Sequence, residues 1–439
     1  MFPRIRPYFD KTYIKAATNF NDEIERDIYL KELVKKLNNY YPVAKKLEFF
    51  DQGRNSLWIA LDLLNLKEGD EILVPCFTCP GVLDPIICKK LKPILIEISF
   101  DFNMNLTQIK NSISKITKAI IVTHFFGIPT NILQIKELAI KYGIAVIEDC
   151  AHTFCSQVDG LSLGSIGDLA FTSFQNDKPL SLGKGSMLII NNEMFVDRFE
   201  IVIDNLQRNS LDDEKFAFLS LLFFNMNTNS LKYSKFIGVD DYYSYFKKNI
   251  SSPDDLLTDL NENELSEFID ISKKEDLLQE LKSIFKNLFV RYKLEDPSTP
   301  LLMNCFSLNL LTNSMNKINL INKTLTKNGS IYANNLDKNN LFISSRLKNI
   351  PYLRYSIVCL NSKFRNKLKN NLITNQCEVD NFNWGITLNR ILKHKGDYKN
   401  CEFLANNILN LPSHTYMKEE DIINICNFIN KESKNYIRN

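Results

Sequence analysis

Four residue types that do chemistry fall close together in the first half of the sequence. IAVIED (Ile144–Asp149) ends in a carboxylate, His152 follows three residues later, DLAFTSF carries Ser173, and Lys178 lies five residues beyond that serine. A carboxylate at the end of an apolar strand sits in a low dielectric and needs a cationic partner. Asp149 reads as a helix cap, as half of a surface ion pair, or as the counter-ion of a bound cation. His152 is near enough to meet the same ligand, although a lone histidine is more often structural. A lysine partly desolvated beside a sheet works as a nucleophile or Schiff-base amine, and a solvated loop lysine does neither. A second lysine, Lys184, stands in GKGS, but the phosphate-loop pattern needs Ser or Thr directly after the lysine and Gly185 follows it. Gly53 opens GRNSLWIAL, where the free first-turn amides of a helix suit an anion as well as they suit an ordinary helix start.

The elements that must position these residues alternate regularly. Apolar runs at Glu71–Pro75, Pro93–Ile98, Lys118–Phe125, Ile144–Asp149, Asp168–Phe174 and Ser186–Asn191 predict strands. Helical patterns at Gly81–Lys90, Leu106–Ser114 and Asn131–Tyr142 lie between the first four. Continuously apolar strands separated by helices predict a mostly parallel sheet covered on both faces. Ligands of such sheets sit at the carboxyl ends of strands, which singles out the loops after Pro75, Phe125, Asp149 and Phe174. From about Glu200 to Asn340 glycine is scarce, and Leu, Phe, Lys and Asn predict helices with polar loops. Two helix-start signals fall within Ser251–Phe268. The tail predicts a strand at Tyr352–Leu360, a helix at Arg365–Asn375, and a segment Leu411–Lys431 that ends in an amphipathic helix.

Composition narrows the function classes. A chain of 439 residues with 44% hydrophobic and 24% charged residues has an ordinary soluble globular make-up, with room for two or three domains. A formal charge of +3 gives no reason to expect nucleic acid. The longest apolar run, Phe216–Phe224, is too short to span a bilayer, and MFPRIRPYFDKTY lacks the apolar core of a signal peptide, so the expected compartment is the cytoplasm. Ten irregularly spaced cysteines read as reduced thiols. Cys76 and Cys79 form one CxxC with no second pair, so no metal is expected.

Taken in order, GRNSLWIAL, GDEILVPCFTCPG, PILIEISFDFNMN, TKAIIVTHFFGIP, IAVIEDCAH, GSIGDLAFTSF and then Lys178 resemble the DegT/DnrJ/EryC1/StrS family of sugar aminotransferases. The resemblance covers about 53–192 and returns at YLRYSIV and LPSHTYMKEEDI. It implies fold type I, with a large cofactor-binding α/β domain and N-terminal helical arm over 1–200, a divergent mainly helical region over 201–345, and a small C-terminal α/β domain over 346–439. It implies pyridoxal 5'-phosphate as cofactor. Lys178 would form the internal aldimine and then serve as the proton-transfer base. Asp149 would pair with the pyridinium nitrogen, and His152 would lie near the ring. Ser173 and the helix start Gly53, Arg54 and Asn55 would hold the phosphate. Cys79 stands where the family usually stacks a large residue on the ring, a part that Phe77 could take instead. The usual Gly-Glu-Gly-Gly is here Gly183-Lys184-Gly185-Ser186. The implied reaction moves an amino group, commonly from glutamate, to a nucleotide-linked keto-sugar for polysaccharide or glycan synthesis, in a homodimer. Two alternatives stay open: a sugar dehydratase of the family, against which Lys178 argues because those carry histidine there, and a non-enzymatic member that keeps the fold.

Overall fold

The computed structural model describes residues 2–21, 23–228, 300–337, 342–344, 347–379 and 386–438. The helix starts expected within Ser251–Phe268 lie outside the described residues.

Two helices open the chain, α1 (Lys11–Thr18) and α2 (Arg26–Leu37). The large sheet follows with its covering helices: β1 (Lys46–Phe50), α3 (Gly53–Leu63), β2 (Glu71–Pro75), α4 (Leu83–Cys88), β3 (Lys92–Ile96), α5 (Leu106–Ser112), β4 (Thr117–Thr123), α6 (Ile132–Tyr142) and β5 (Ala145–Asp149). A small hairpin, β6 (Gln157–Val158) and β7 (Leu161–Ser162), precedes β8 (Leu169–Phe171) and β9 (Ser186–Ile190). The seven strands lie in the order β1-β9-β8-β5-β4-β2-β3. β3, β2, β4, β5 and β8 pair in parallel, whereas β9 runs antiparallel to both β8 and β1. Crossovers through helices cover both faces, which is why β2, β4 and β5 are buried along almost their whole length.

The antiparallel β9 matters for the chemistry. Its amino end, and the loop before it, lie at the same sheet edge as the carboxyl ends of the parallel strands. The loop that carries Lys178 and Lys184 therefore never leaves that edge.

Beyond the sheet run α7 (Val196–Ile203) and α8 (Leu211–Asn227), then α9 (Cys305–Ser314) and α10 (Ile318–Asn335). α9 packs on α1, α2 and α8, and its apolar side chains join theirs in a second core beside the sheet. A second sheet holds β10 (Phe342–Ser344), β11 (Tyr355–Cys359) and β12 (Ile408–Leu411), all antiparallel, with α11 (Ser362–Thr374), the short α12 (Leu388–Ile391), α13 (Lys399–Asn407) and α14 (Glu419–Arg438).

Several strands are shorter than their apolar runs. β4 stops at Thr123 because the chain turns sharply at Phe126, whose φ is 58°. β8 starts after Asp168, whose carboxylate accepts the Val146 N–H at 2.9 Å and pairs with Lys136. β1 is absent from the apolar pattern because KLEFF places Glu48 inside, where Arg26 meets it at 2.5 Å.

Candidate active site

The residues singled out by type and spacing converge on one edge of the large sheet. Gly53 follows β1, Cys79 follows β2, Asp149 ends β5, His152 lies in the next turn, and Ser173 and Lys178 follow β8. All six line one cavity of about 590 Å³, a volume that suits a small aromatic ligand bearing a phosphate.

β5 sorts its two carboxylates by the alternation of a strand. Glu148 faces away from the cavity and is fully satisfied there. It accepts the N–H groups of Gly164, Ile166 and Gly167 at 3.0, 2.7 and 2.5 Å, and it meets His124 Nε2 at 2.9 Å. Glu148 and His124 lie near the Cys150 thiol, but these hydrogen bonds already occupy them. Asp149 faces the cavity. Its Oδ1 accepts the Ala151 N–H at 3.0 Å and its Oδ2 accepts the Thr123 hydroxyl at 3.3 Å. No cation lies within ion-pair distance of it among the described residues. Burial pushes its carboxyl above the usual range, against the pull of Lys178 and His124. A buried carboxylate in that condition fits a protonated ring nitrogen.

His152 is neutral. Burial first, then Lys178 and Arg354, hold its imidazole well below the usual range. Its Nδ1 accepts the Phe126 N–H at 3.2 Å, so the hydrogen-bond pattern assigns its proton to Nε2. One ring face stacks on Phe126 at 5.6 Å and 14°.

Lys178 is held by its neighbour. Its Nζ lies 3.3 Å from Asp177 Oδ1, and Asp177 Oδ2 accepts from Arg354 at 2.5 Å. Arg354 comes from the far sheet, just before β11, and is almost wholly buried. Although burial alone would raise it, Lys178 and Arg354 hold the Asp177 carboxyl far below its usual range. Asp177 and Arg354 were not legible as site residues. Asp177, the first half of the Asp-Lys pair in the loop, shows no local sign of its partner, because the arginine in YLRYSIV is 177 residues away.

The start of α3 forms the anion-binding end. The N–H groups of Gly53 and Arg54 make no hydrogen bond within the described residues, and the Ser173 side chain lies beside Gly53. Asn55 does not take the place expected of it. Its N–H is donated to the Gln52 carbonyl at 3.0 Å, its side chain donates to Asp51 at 2.6 Å, and it is absent from the cavity wall. It sits at the third helical position, where the chain has already begun to bond with itself. The Arg54 side chain turns outward to Asp84 at 2.9 Å.

Two further expectations meet the geometry. Cys79 lines the cavity as a protonated thiol, raised by burial more than Lys178 lowers it. Phe77 is core, packed against Phe125, and lies outside the cavity wall, so it does not stand in for the missing aromatic. Ser186, in place of a glycine, is absorbed without strain. Its hydroxyl meets Ser56 Oγ at 2.6 Å and the Gln52 carbonyl at 2.7 Å, tying β9 to the start of α3. Gly183 and Gly185 keep φ values of +91° and +117°, where a side chain would be strained. The buried carboxylate, the two unpaired amides, the serine and the lysine fit pyridoxal phosphate as a set.

Known proteins resemble this chain in sequence and in fold. The model of the DegT/DnrJ/EryC1/StrS aminotransferase family matches residues 15–232. A GDP-perosamine synthase of Escherichia coli O157:H7 is 31% identical over 193 residues, 43% of this chain and 50% of that one. A UDP-N-acetyl-3-dehydro-alpha-D-glucosamine 3-aminotransferase of Acidithiobacillus ferrooxidans is 35% identical over 139 residues, 31% of this chain and 38% of that one. The chain thus spans half or less of the length of these curated relatives. The solved structure of Helicobacter pylori PseC, an aminotransferase involved in the biosynthesis of pseudoaminic acid, superposes with a TM-score of 0.69 at 14% identity, covering 99% of both chains. The fold is that of the fold type I aminotransferases.

Proposed function

Residues 15–232 belong to the DegT/DnrJ/EryC1/StrS aminotransferase family, and from that footing we propose that the chain is a pyridoxal-phosphate-dependent aminotransferase. It moves an amino group from glutamate to a nucleotide-linked keto-sugar, for polysaccharide or glycan synthesis. The observation that carries this reading is the meeting of Lys178, Asp149 and the unpaired amides of Gly53 and Arg54 on one cavity. The matched perosamine synthase and 3-aminotransferase support the acceptor class.

Bound in this cavity, pyridoxal phosphate supplies an aldehyde for amines and a protonated ring that withdraws electrons. The residues of this chain do the rest. Gly53 N, Arg54 N and Ser173 Oγ hold the phosphate at a helix start, where the dipole favours an anion. The Asp149 carboxylate keeps the proton on the ring nitrogen. The neutral His152 presents a polar edge without adding charge, and Cys79 adds a small apolar contact. The Lys178 amine, once released to act, takes the proton from the donor's α-carbon. Asp177 steadies that amine from the side, and Arg354 steadies Asp177.

The chain acts as a homodimer in the cytoplasm; among the described residues no helix is long and apolar enough to cross a membrane. Sedimentation of a monomer at working concentration would contradict the dimer. The activity itself is tested by incubating the protein with glutamate and a keto-sugar nucleotide and following 2-oxoglutarate. Wild type releases it in step with a new sugar amine, and Lys178→Ala releases none. Turnover that survives Lys178→Ala contradicts the reading.

A further inference from the structure

The loop after Lys178 is where this chain departs from its family, and the departure has partners. Lys184 lines the cavity and reaches two carboxylates on two different elements. Its ammonium pairs with Asp213 in the first turn of α8, and lies 3.6 Å from Asp51 Oδ2, just after β1. Asp213 also lines the cavity, while Asp51 stands two residues before Gly53 and accepts from Asn55. Both acids therefore sit at the end of the cavity where the unpaired amides of Gly53 and Arg54 wait for an anion.

Two carboxylates with no cation beside them are a poor setting for a phosphate. With little water between them, their repulsion is weakly screened. Lys184 is built to offset them. Burial lowers its affinity for a proton, but Asp213 and Asp51 outweigh burial, and the ammonium stays charged across the neutral range. The glutamate usual at this position would make a third carboxylate in the same cluster. Lys184, Asp51 and Asp213 are thus a set, in which the lysine is needed because the two acids are there.

We propose that Lys184 is a positioning residue for the phosphate end of the cofactor: by neutralising Asp51 and Asp213 it allows a phosphate to rest on Gly53 N, Arg54 N and Ser173 Oγ. This rests on the pyridoxal phosphate reading. Lys184 touches no reacting atom and is not a catalytic residue.

The test compares pyridoxal phosphate with pyridoxal, which lacks the phosphate, by absorbance titration of the full-length cofactor-free protein. Lys184→Met weakens pyridoxal phosphate by about 30-fold or more, because the buried Asp51 and the half-buried Asp213 are left without their cation. Pyridoxal changes by less than about twofold, since it brings no anion to that end. The neutral set Lys184→Met/Asp51→Asn/Asp213→Asn recovers most of the phosphate-dependent loss. It also keeps the test decisive should the single variant fold poorly. Equal weakening of both ligands, no weakening of either, or no recovery in the neutral set overturns the proposal. A wild-type protein that binds neither ligand overturns the cofactor reading as well, which separates the two failures.

Discussion

Asp149 illustrates the conflict between stability and chemistry at the scale of one residue. Its carboxyl is raised by burial, so ionising it costs folding energy in the cofactor-free chain. For an acid raised in the folded state, the favourable contribution is present below the usual carboxylate range and is lost as pH rises through the raised value. The penalty grows as pH rises from the usual carboxylate range to the raised value. Asp149→Asn is therefore expected to stabilise the cofactor-free protein at pH 7 by about 1 kcal/mol, while removing aminotransfer. Thermal unfolding without cofactor checks this, and a lower midpoint in the variant contradicts it. Asp149, His152, Ser173 and Lys178 could be picked out from sequence because each lies at or just beyond the end of an apolar strand. Asp177 and Arg354 could not, since nothing local marks a contact between two sheets. The amide of Asn55 was misplaced for a subtler reason: at the third helical position it has already found the Gln52 carbonyl.

At the scale of elements, α8 decides how the lysine loop closes. Gly183 has a φ of +91°, and a methyl group built there would stand 2.2 Å from the Ala217 carbonyl on α8. Gly183→Ala is expected to cost about 3 kcal/mol in urea unfolding, and a change within about 0.5 kcal/mol contradicts this contact. The same helix supports α9 through Glu214. Its carboxylate accepts the N–H groups of Asn304 and Ser307 at 2.6 and 2.9 Å, supplementing the Asn304 cap. Burial outweighs those bonds and raises its pKa to about 7. Its stabilising contribution is present below its usual range and is lost as pH rises through about 7. Unfolding midpoints measured at about pH 5 and about pH 8 are expected to fall further in wild type than in Glu214→Gln. An unchanged slope in the variant contradicts the assignment. The strand and helix series of the first half was legible because two-sided burial demands apolar runs. β1 was not, because an internal Arg26–Glu48 pair made its sequence look like a surface.

At the scale of the whole molecule, the two sheets meet at the lysine loop. Arg354, at the head of β11, reaches across to Asp177 with almost no exposure to water. Asp177→Ala leaves a buried guanidinium without that carboxylate and is expected to cost about 3–5 kcal/mol. The neutral pair Arg354→Met/Asp177→Asn is expected to regain most of it, because a matched apolar replacement removes both desolvation costs. Additive losses in the double variant contradict a direct tie. This join also fixes the Lys178 amine, on which the whole account depends. The most direct test is to add pyridoxal phosphate to the protein, record the visible absorbance, reduce with borohydride and map the modified peptide. A visible band that disappears on reduction, a cofactor adduct on Lys178, and neither in Lys178→Ala are expected. Absence of the band in wild type, or an adduct on Lys184 instead, would contradict the reading.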